Sequence, residues 1–303
     1  MQIVMTGATA GIGLVAARRC LGAGADLVVG ARDPKKAPED LRRSATLHPL
    51  DLGDLNNVTG FAEAVEAGSA IDVLILNAGV QNVSGERSAQ GLEVTFATNH
   101  LAHYGLARRL VSRMALGGRI ILTASGTHDP DEKTGIPPPR HADARRLAWP
   151  ETDPDLDPKP ATAGRRAYST SKLCNVMTVR ELARRTADAR PDLSIMAFDP
   201  GFTPGTGLAR DYPGVASFLF RHVLPLVVRG ERVSTPANSG RLLAEMTTGA
   251  AYAASRGGYF AVRGKALLEV PPSVLARDDA ACARLWDDSE ALLREVAPGR
   301  GIG

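Results

Sequence analysis

The sequence predicts a doubly wound α/β fold, a single parallel sheet flanked by helices on both faces, and three observations predict it. Short aliphatic or β-branched runs alternate with Ala-rich helical stretches over the first two-thirds of the chain. A glycine-rich turn follows the first of those runs directly. Apolar residues make up 44% of the 303 and aromatics only 5%, a profile that suits helices packed on a parallel sheet better than an aromatic-rich sandwich.

The elements follow in order. Strands are expected at 2–5, 26–30, 73–76, 119–123 and 194–198, where β-branched or aliphatic residues run together. Helices are expected at 12–23, 55–67, 92–114 and 167–185. No internal repeat or linker divides the pattern, so residues 1–303 read as one domain. Two segments break the rhythm. Residues 126–166 are rich in Pro, Asp and Arg and predict an irregular, partly mobile excursion; residues 201–232 follow a Pro-Gly pair and then turn apolar between 215 and 228. Long loops on an α/β scaffold usually carry substrate contacts, so both are expected to be lids.

A net charge of +3 with interspersed signs gives no phosphate-tracking stripe, which argues against nucleic acid as a partner. Cys20, Cys174 and Cys282 are too widely spaced for a disulfide framework or a zinc site. His100 and His103 lack a suitably spaced carboxylate and read as packing histidines, and no metal is expected. No uncharged run reaches the ~18–20 residues of a membrane span, and the first residues enter the glycine turn at once, so a cytoplasmic location is expected.

The turn reads Thr6-Gly7-Ala8-Thr9-Ala10-Gly11-Ile12-Gly13 and opens a helix. Glycines there let the backbone turn tightly against a pyrophosphate whose charge rests on the helix N-terminus, as in Rossmann-type folds. The second strand ends at Arg32-Asp33, about twenty residues past the glycines, where such folds read the adenosine ribose. An acidic residue at the tip favours a 2′-hydroxyl, whereas Arg32 suits a 2′-phosphate, so NADP(H) is expected as the cofactor. The competing reading pairs Arg32 with Asp33 or Asp40 as a solvated charge.

Tyr168 and Lys172 lie four apart at the start of a helical stretch and share a face. Tyrosine, with a pKa near ~10, is a weak general acid or base at neutral pH unless a nearby ammonium favours its phenolate. Alone, such a pair is more often packing or surface decoration. In company it is not, because the sequence resembles the short-chain dehydrogenase/reductase family from residue 1 to about residue 207. The glycine turn is similar to that family's cofactor turn, Asp51-Leu52 to its adenine-contacting pair, and Asn77-Ala78-Gly79 to its structural Asn-Ala-Gly motif. Asn99 matches its helix asparagine, Ser125 its serine after the fifth strand, Tyr168-x3-Lys172 its catalytic pair, and Pro200-Gly201 the site beside the nicotinamide.

The resemblance implies hydride transfer between nicotinamide C4 and a substrate carbon. Tyr168 would act as general acid or base, Ser125 would orient the substrate oxygen, and Lys172 would bind ribose hydroxyls and lower the Tyr168 pKa. Asn99 would hold a proton-relay water. Thr6, Gly7, Thr9, Ala10, Gly11, Ile12, Gly13, Arg32, Asp51, Leu52, Asn77, Ala78, Gly79, Tyr168, Lys172, Pro200, Gly201, Thr203 and Thr206 would line the cofactor. Tyr168 stands 43 positions after Ser125, a long insertion similar to the branch of retinol dehydrogenases and protochlorophyllide reductases. Residues 168–178 and 200–210 look most like the latter, yet Phe202 stands where those reductases commonly carry a cysteine important for photochemistry. The expected activity is therefore oxidoreduction of a carbonyl/alcohol pair in a fairly apolar small molecule. Reduction of a conjugated C=C bond and a non-catalytic dinucleotide sensor are the alternatives. Dimerisation through the helices around Asn99 and Tyr168 is implied by the family, and the insertion leaves a monomer open.

Overall fold

The computed structural model describes residues 1–204 and 232–297. Thr206 and the apolar stretch at 215–228 lie outside the described residues. Among the described residues eight strands form one sheet: β1 (Gln2–Thr6), β2 (Asp26–Ala31), β3 (Thr46–Pro49), β4 (Ile71–Leu76), β5 (Met114–Thr123), β6 (Ser194–Asp199), β7 (Arg256–Arg263) and β8 (Ala266–Glu269). Their order is β3-β2-β1-β4-β5-β6-β7-β8; all neighbours are parallel except β7 and β8. The order reverses between β1 and β4, and in such sheets ligands bind beyond the carboxyl ends of the strands at that reversal.

Period-two alternation places successive residues of the buried strands on opposite faces. Val4, Leu74, Leu76, Ile120, Leu122 and Ile195 join one core with the helices Leu55–Glu66, Ala102–Leu110, Pro160–Arg185 and Asp279–Val296. Ile3, Met5, Val73, Ile75, Ile121 and Met196 join the other with Gly11–Gly22 and Pro236–Thr248. Helices thus cover both faces, as the sequence predicts.

Several boundaries differ from the expectation. β5 starts at Met114, not 119, because its register with β4 shifts between Ile71 and Val73, and Gly117 takes a left-handed φ of 70°. A bulged, glycine-broken strand loses the continuous apolar run that identifies it. The expected helix at 92–114 is instead Val94–Phe96, a π-type turn at Ala97–Leu101 and Ala102–Leu110, with Ala102 N–H reaching back to Ala97 O. The long helix begins at Pro160, seven residues before the expected start, with proline in its first turn. β3, β7, β8 and the helices Pro236–Thr248 and Asp279–Val296 have no counterpart in the expectation. The two helices nonetheless carry readable start signals, since Thr235 and Asp278 accept from Asn238 N and Ala281 N as N-caps.

The 126–166 excursion is irregular but anchored. Asp157 pairs with Arg166 at 2.6 Å and Arg140 at 3.1 Å, His141 meets Asp153 at 2.9 Å, and Glu93 N donates to Ala148 O.

Candidate active site

The glycine turn is shaped by close backbone approach. Gly7 has φ 70°, and a Cβ there would stand 2.7 Å from the Ala78 backbone; at Gly13 it would stand 2.0 Å from Gly7 O. Ala10 caps the Gly11–Gly22 helix with no side-chain hydrogen bond, so its first-turn N–H groups remain available to an anion. The cradle therefore fits a dinucleotide pyrophosphate. Thr9 and Ile12 line this turn, half-buried.

Thr6 ties the turn to the next strand: its hydroxyl accepts from Asn77 N and Ala78 N at 3.0 and 3.1 Å. Asn77 in turn donates to Gly7 O and accepts from the Thr123 hydroxyl, so β1, β4 and β5 are clipped together at their carboxyl ends. Leu52 is buried beneath, while Asp51 is exposed and accepts from Gly53 N. Arg32 is exposed and makes no ion pair among the described residues. Both carboxylates that could neutralise it are otherwise engaged, because Asp33 accepts from Lys35 N and pairs with Lys36, and Asp40 pairs with Arg18 at 2.6 Å.

Asn99, Ser125, Tyr168 and Lys172 come together beyond β4 and β5. The Asn99 side chain is fully committed: Oδ1 accepts from Val80 N, while Nδ2 donates to Val80 O and to the Ser171 hydroxyl. Ser171 donates to Tyr168 O at 2.7 Å, which links Asn99 to the tyrosine's own backbone. Lys172 Nζ donates to Thr123 O at 3.1 Å and stands 5.6 Å from the Tyr168 ring centroid. A Cβ on Gly79 would approach Lys172 Nζ to 3.4 Å, so the ammonium lies on the open side of that glycine. Ser125 follows β5, half-buried; its hydroxyl accepts from Thr127 N at 3.3 Å and acts on the Tyr168 phenol to favour its ionised form.

Electrostatics departs from the expectation that Lys172 lowers the Tyr168 pKa. Burial pushes the phenol up, with the Ser125 hydrogen bond opposing it and Asp199 adding to it. The ammonium donates to the Thr123 carbonyl and lies over the ring, and at 3% exposure its own pKa falls to about 8 by burial, opposed by Asp199. Asp199 went unnoticed in the sequence. It ends β6, is 2% exposed, and accepts from Gly201 N and from the Tyr259 hydroxyl on β7. Pro200 O accepts from Ser239, and Gly201, at φ 71°, would bring a Cβ within 2.8 Å of Arg232 O. Phe202 and Thr203 continue this wall, with Phe202 bridging Val233.

Comparison with known proteins bears on this geometry. The short chain dehydrogenase family matches residues 1–132. A Streptomyces protein named "putative daunorubicin C-13 ketoreductase" is 31% identical over 313 residues, covering 97% of this chain and 93% of that one. The chain belongs to the short-chain dehydrogenase/reductase family. The protochlorophyllide reductase of Avena sativa is 29% identical, covering 96% of this chain and 99% of its own length. An uncharacterised protein of Mycobacterium paratuberculosis superposes with a TM-score of 0.67 at 28% identity, covering 97% and 93% of the two chains. A Beutenbergia cavernae protein solved with NADP bound at low occupancy superposes at 0.62 with 25% identity, covering 87% of this chain and 95% of that one. As a short-chain dehydrogenase/reductase the chain is an oxidoreductase, and its dinucleotide cradle takes a nicotinamide cofactor. No helix among the described residues is long and apolar enough to cross a membrane.

Proposed function

We propose that this chain is an NADP(H)-dependent oxidoreductase acting on a carbonyl/secondary-alcohol pair in a fairly apolar small molecule. The observation that carries the reading is the convergence of Asn99, Ser125, Tyr168 and Lys172 beside the glycine cradle, with Arg32 in no ion pair among the described residues at the β2 tip. Bound nicotinamide supplies hydride at its C4. The chain does the rest: Ser125 holds the substrate oxygen, and the Tyr168 phenol gives it a proton in reduction while the phenolate takes one from it in oxidation. Lys172, its charge directed by Thr123 O, holds ribose hydroxyls and favours phenolate once proton transfer begins. Asn99 keeps the Tyr168 helix in register through Ser171. Arg32 holds the 2′-phosphate, and Pro200, Gly201 and Thr203 with Thr206 flank the carboxamide.

A panel of ketones and secondary alcohols, followed at the NADPH absorbance with NADH in parallel, tests the reading. Tyr168→Phe is expected to lose at least about 1,000-fold in turnover while binding NADPH with unchanged affinity; native-rate turnover by that variant would sink it. The likeness to protochlorophyllide reductase over 96% of the chain favours a second reading, reduction of a conjugated C=C bond. Deuterium from labelled NADPH appearing on a former alkene carbon, with the carbonyl intact, would support that reading over the first.

A further inference from the structure

Two buried histidines stand directly behind the tetrad, and their hydrogen bonds fix their tautomers. The Thr6 hydroxyl already accepts from Asn77 N and Ala78 N, so its one proton is left for His103 Nε2 at 3.0 Å. His103 Nε2 is therefore the acceptor, and Nδ1 carries the proton that it donates to Asn99 O at 3.1 Å. His128 repeats the arrangement from unrelated elements. Ser273 N–H can only donate, and it does so to His128 Nε2 at 3.2 Å, leaving Nδ1–H to donate to Ser125 O at 2.8 Å. Each ring is neutral by this accounting, since one nitrogen must accept. Burial agrees, pulling His103 down to about 3 and lowering His128.

Packing excludes other roles. Both rings are at most 1% exposed, and His128 is held edge-on against Tyr259 with centroids 4.9 Å apart. Neither reaches the open side of the site, and no metal-ligand cluster occurs among the described residues. What each does touch is the backbone carbonyl of a tetrad member. The Ser125 peptide sets the direction of the Ser125 hydroxyl, and the Asn99 peptide sets the reach of a side chain that grips Val80 and Ser171.

We propose that His103 and His128 are positioning residues, whose Nδ1–H groups hold the backbone carbonyls of Asn99 and Ser125 and so fix the tetrad from behind. The catalytic part of this inference rests on the function proposed above. A displacement of about 1 Å at such a site costs on the order of 100-fold in rate, so small peptide swings would matter.

Two amides separate the two ring nitrogens. Asparagine places a donor where Nδ1 stands, and glutamine places an acceptor where Nε2 stands. His128→Asn and His103→Asn are expected to keep kcat within about 3-fold on the best panel ketone. His128→Gln and His103→Gln are expected to lose about 10- to 100-fold in kcat, with KM for NADPH changed less than 3-fold. Equal kcat for the Asn and Gln variants, after correction for folded fraction, would overturn the proposal, since a merely space-filling role moves stability and not this difference. Imidazole ¹⁵N NMR of the wild-type protein supplies an arm independent of turnover. Nδ1–H tautomers at both residues, unprotonated down to pH 5, support the hold on the carbonyls; an Nε2–H tautomer or ordinary titration overturns it. A wild-type protein that turns over no panel compound but shows both tautomers removes the proposed substrate class and leaves the histidine contacts standing.

Discussion

Arg32 and Lys172 each carry a charge whose setting decides a measurable property. Arg32 is exposed, with Asp33 and Asp40 both paired with other cations among the described residues, so under the proposed function it is left to meet a 2′-phosphate. Arg32→Ala is expected to weaken NADPH binding about 10- to 100-fold, the worth of a charged hydrogen-bonded contact, while changing NADH binding little; fluorescence titration of both cofactors checks this. Lys172 is buried with a pKa brought down to about 8 from 10.5. Between those pH values the unfolded chain binds more protons at this site than the folded one, so this group's contribution makes the protein more stable as pH rises. In the cofactor-free protein the wild-type denaturant midpoint is expected to rise relative to that of Lys172→Met between pH 7.5 and 10. A shift in the opposite direction would show that the lysine is held charged. Activity should fall along an alkaline limb near pH 8 as the ammonium discharges.

At the scale of elements, the glycine turn and the β1–β4–β5 clip act as one unit. Gly13→Ala puts a methyl 2.0 Å from Gly7 O, a contact that backbone on both sides must relieve. Nucleotide binding is expected to drop at least about 100-fold in calorimetry, in keeping with the cost of a 1 Å misplacement. The motifs of this region were legible because they are local: turn, strand tip and Tyr-x3-Lys each lie within a few residues. His103 also had a signal, four positions after Asn99 on one helix face, but a packing reading is the commoner meaning of a histidine among apolar neighbours. His128 and Asp199 had none. The partners that give them meaning, Ser273 and Tyr259, are 145 and 60 residues away. β5 was read short because its glycine bulge breaks the run, and β7 was missed because Gly257 and Gly258 open it.

Across the whole molecule, the helix Asp279–Val296 covers the faces of Ala102–Leu110 and Pro160–Arg185. Tyr104 packs edge-on to Trp286 at 4.8 Å and donates to its carbonyl, His100 meets Ser289 at 3.1 Å, and Arg108 pairs with Glu290 at 2.5 Å. Those are the helices through which family resemblance implies dimerisation. With that face occupied by the chain itself, a monomer of 31.9 kDa is expected by light scattering at micromolar concentration. Trp286→Ala is expected to cost about 3 kcal/mol in chemical unfolding, since it leaves a cavity under the helix.

The sequence by itself determined the fold class, the family and most of the alternating elements, and it picked out the cofactor turn, the four candidate site residues and the basic strand tip, because each is written in adjacent residues or in a short period that one strand or helix reads out. Only the tertiary structure decided how the tetrad is held, how its charges are set, and what covers its helices. Those depend on burial and on contacts such as His128 with Ser273 and Tyr104 with Trp286, which no local pattern encodes because the chain separates the partners by more than 100 positions.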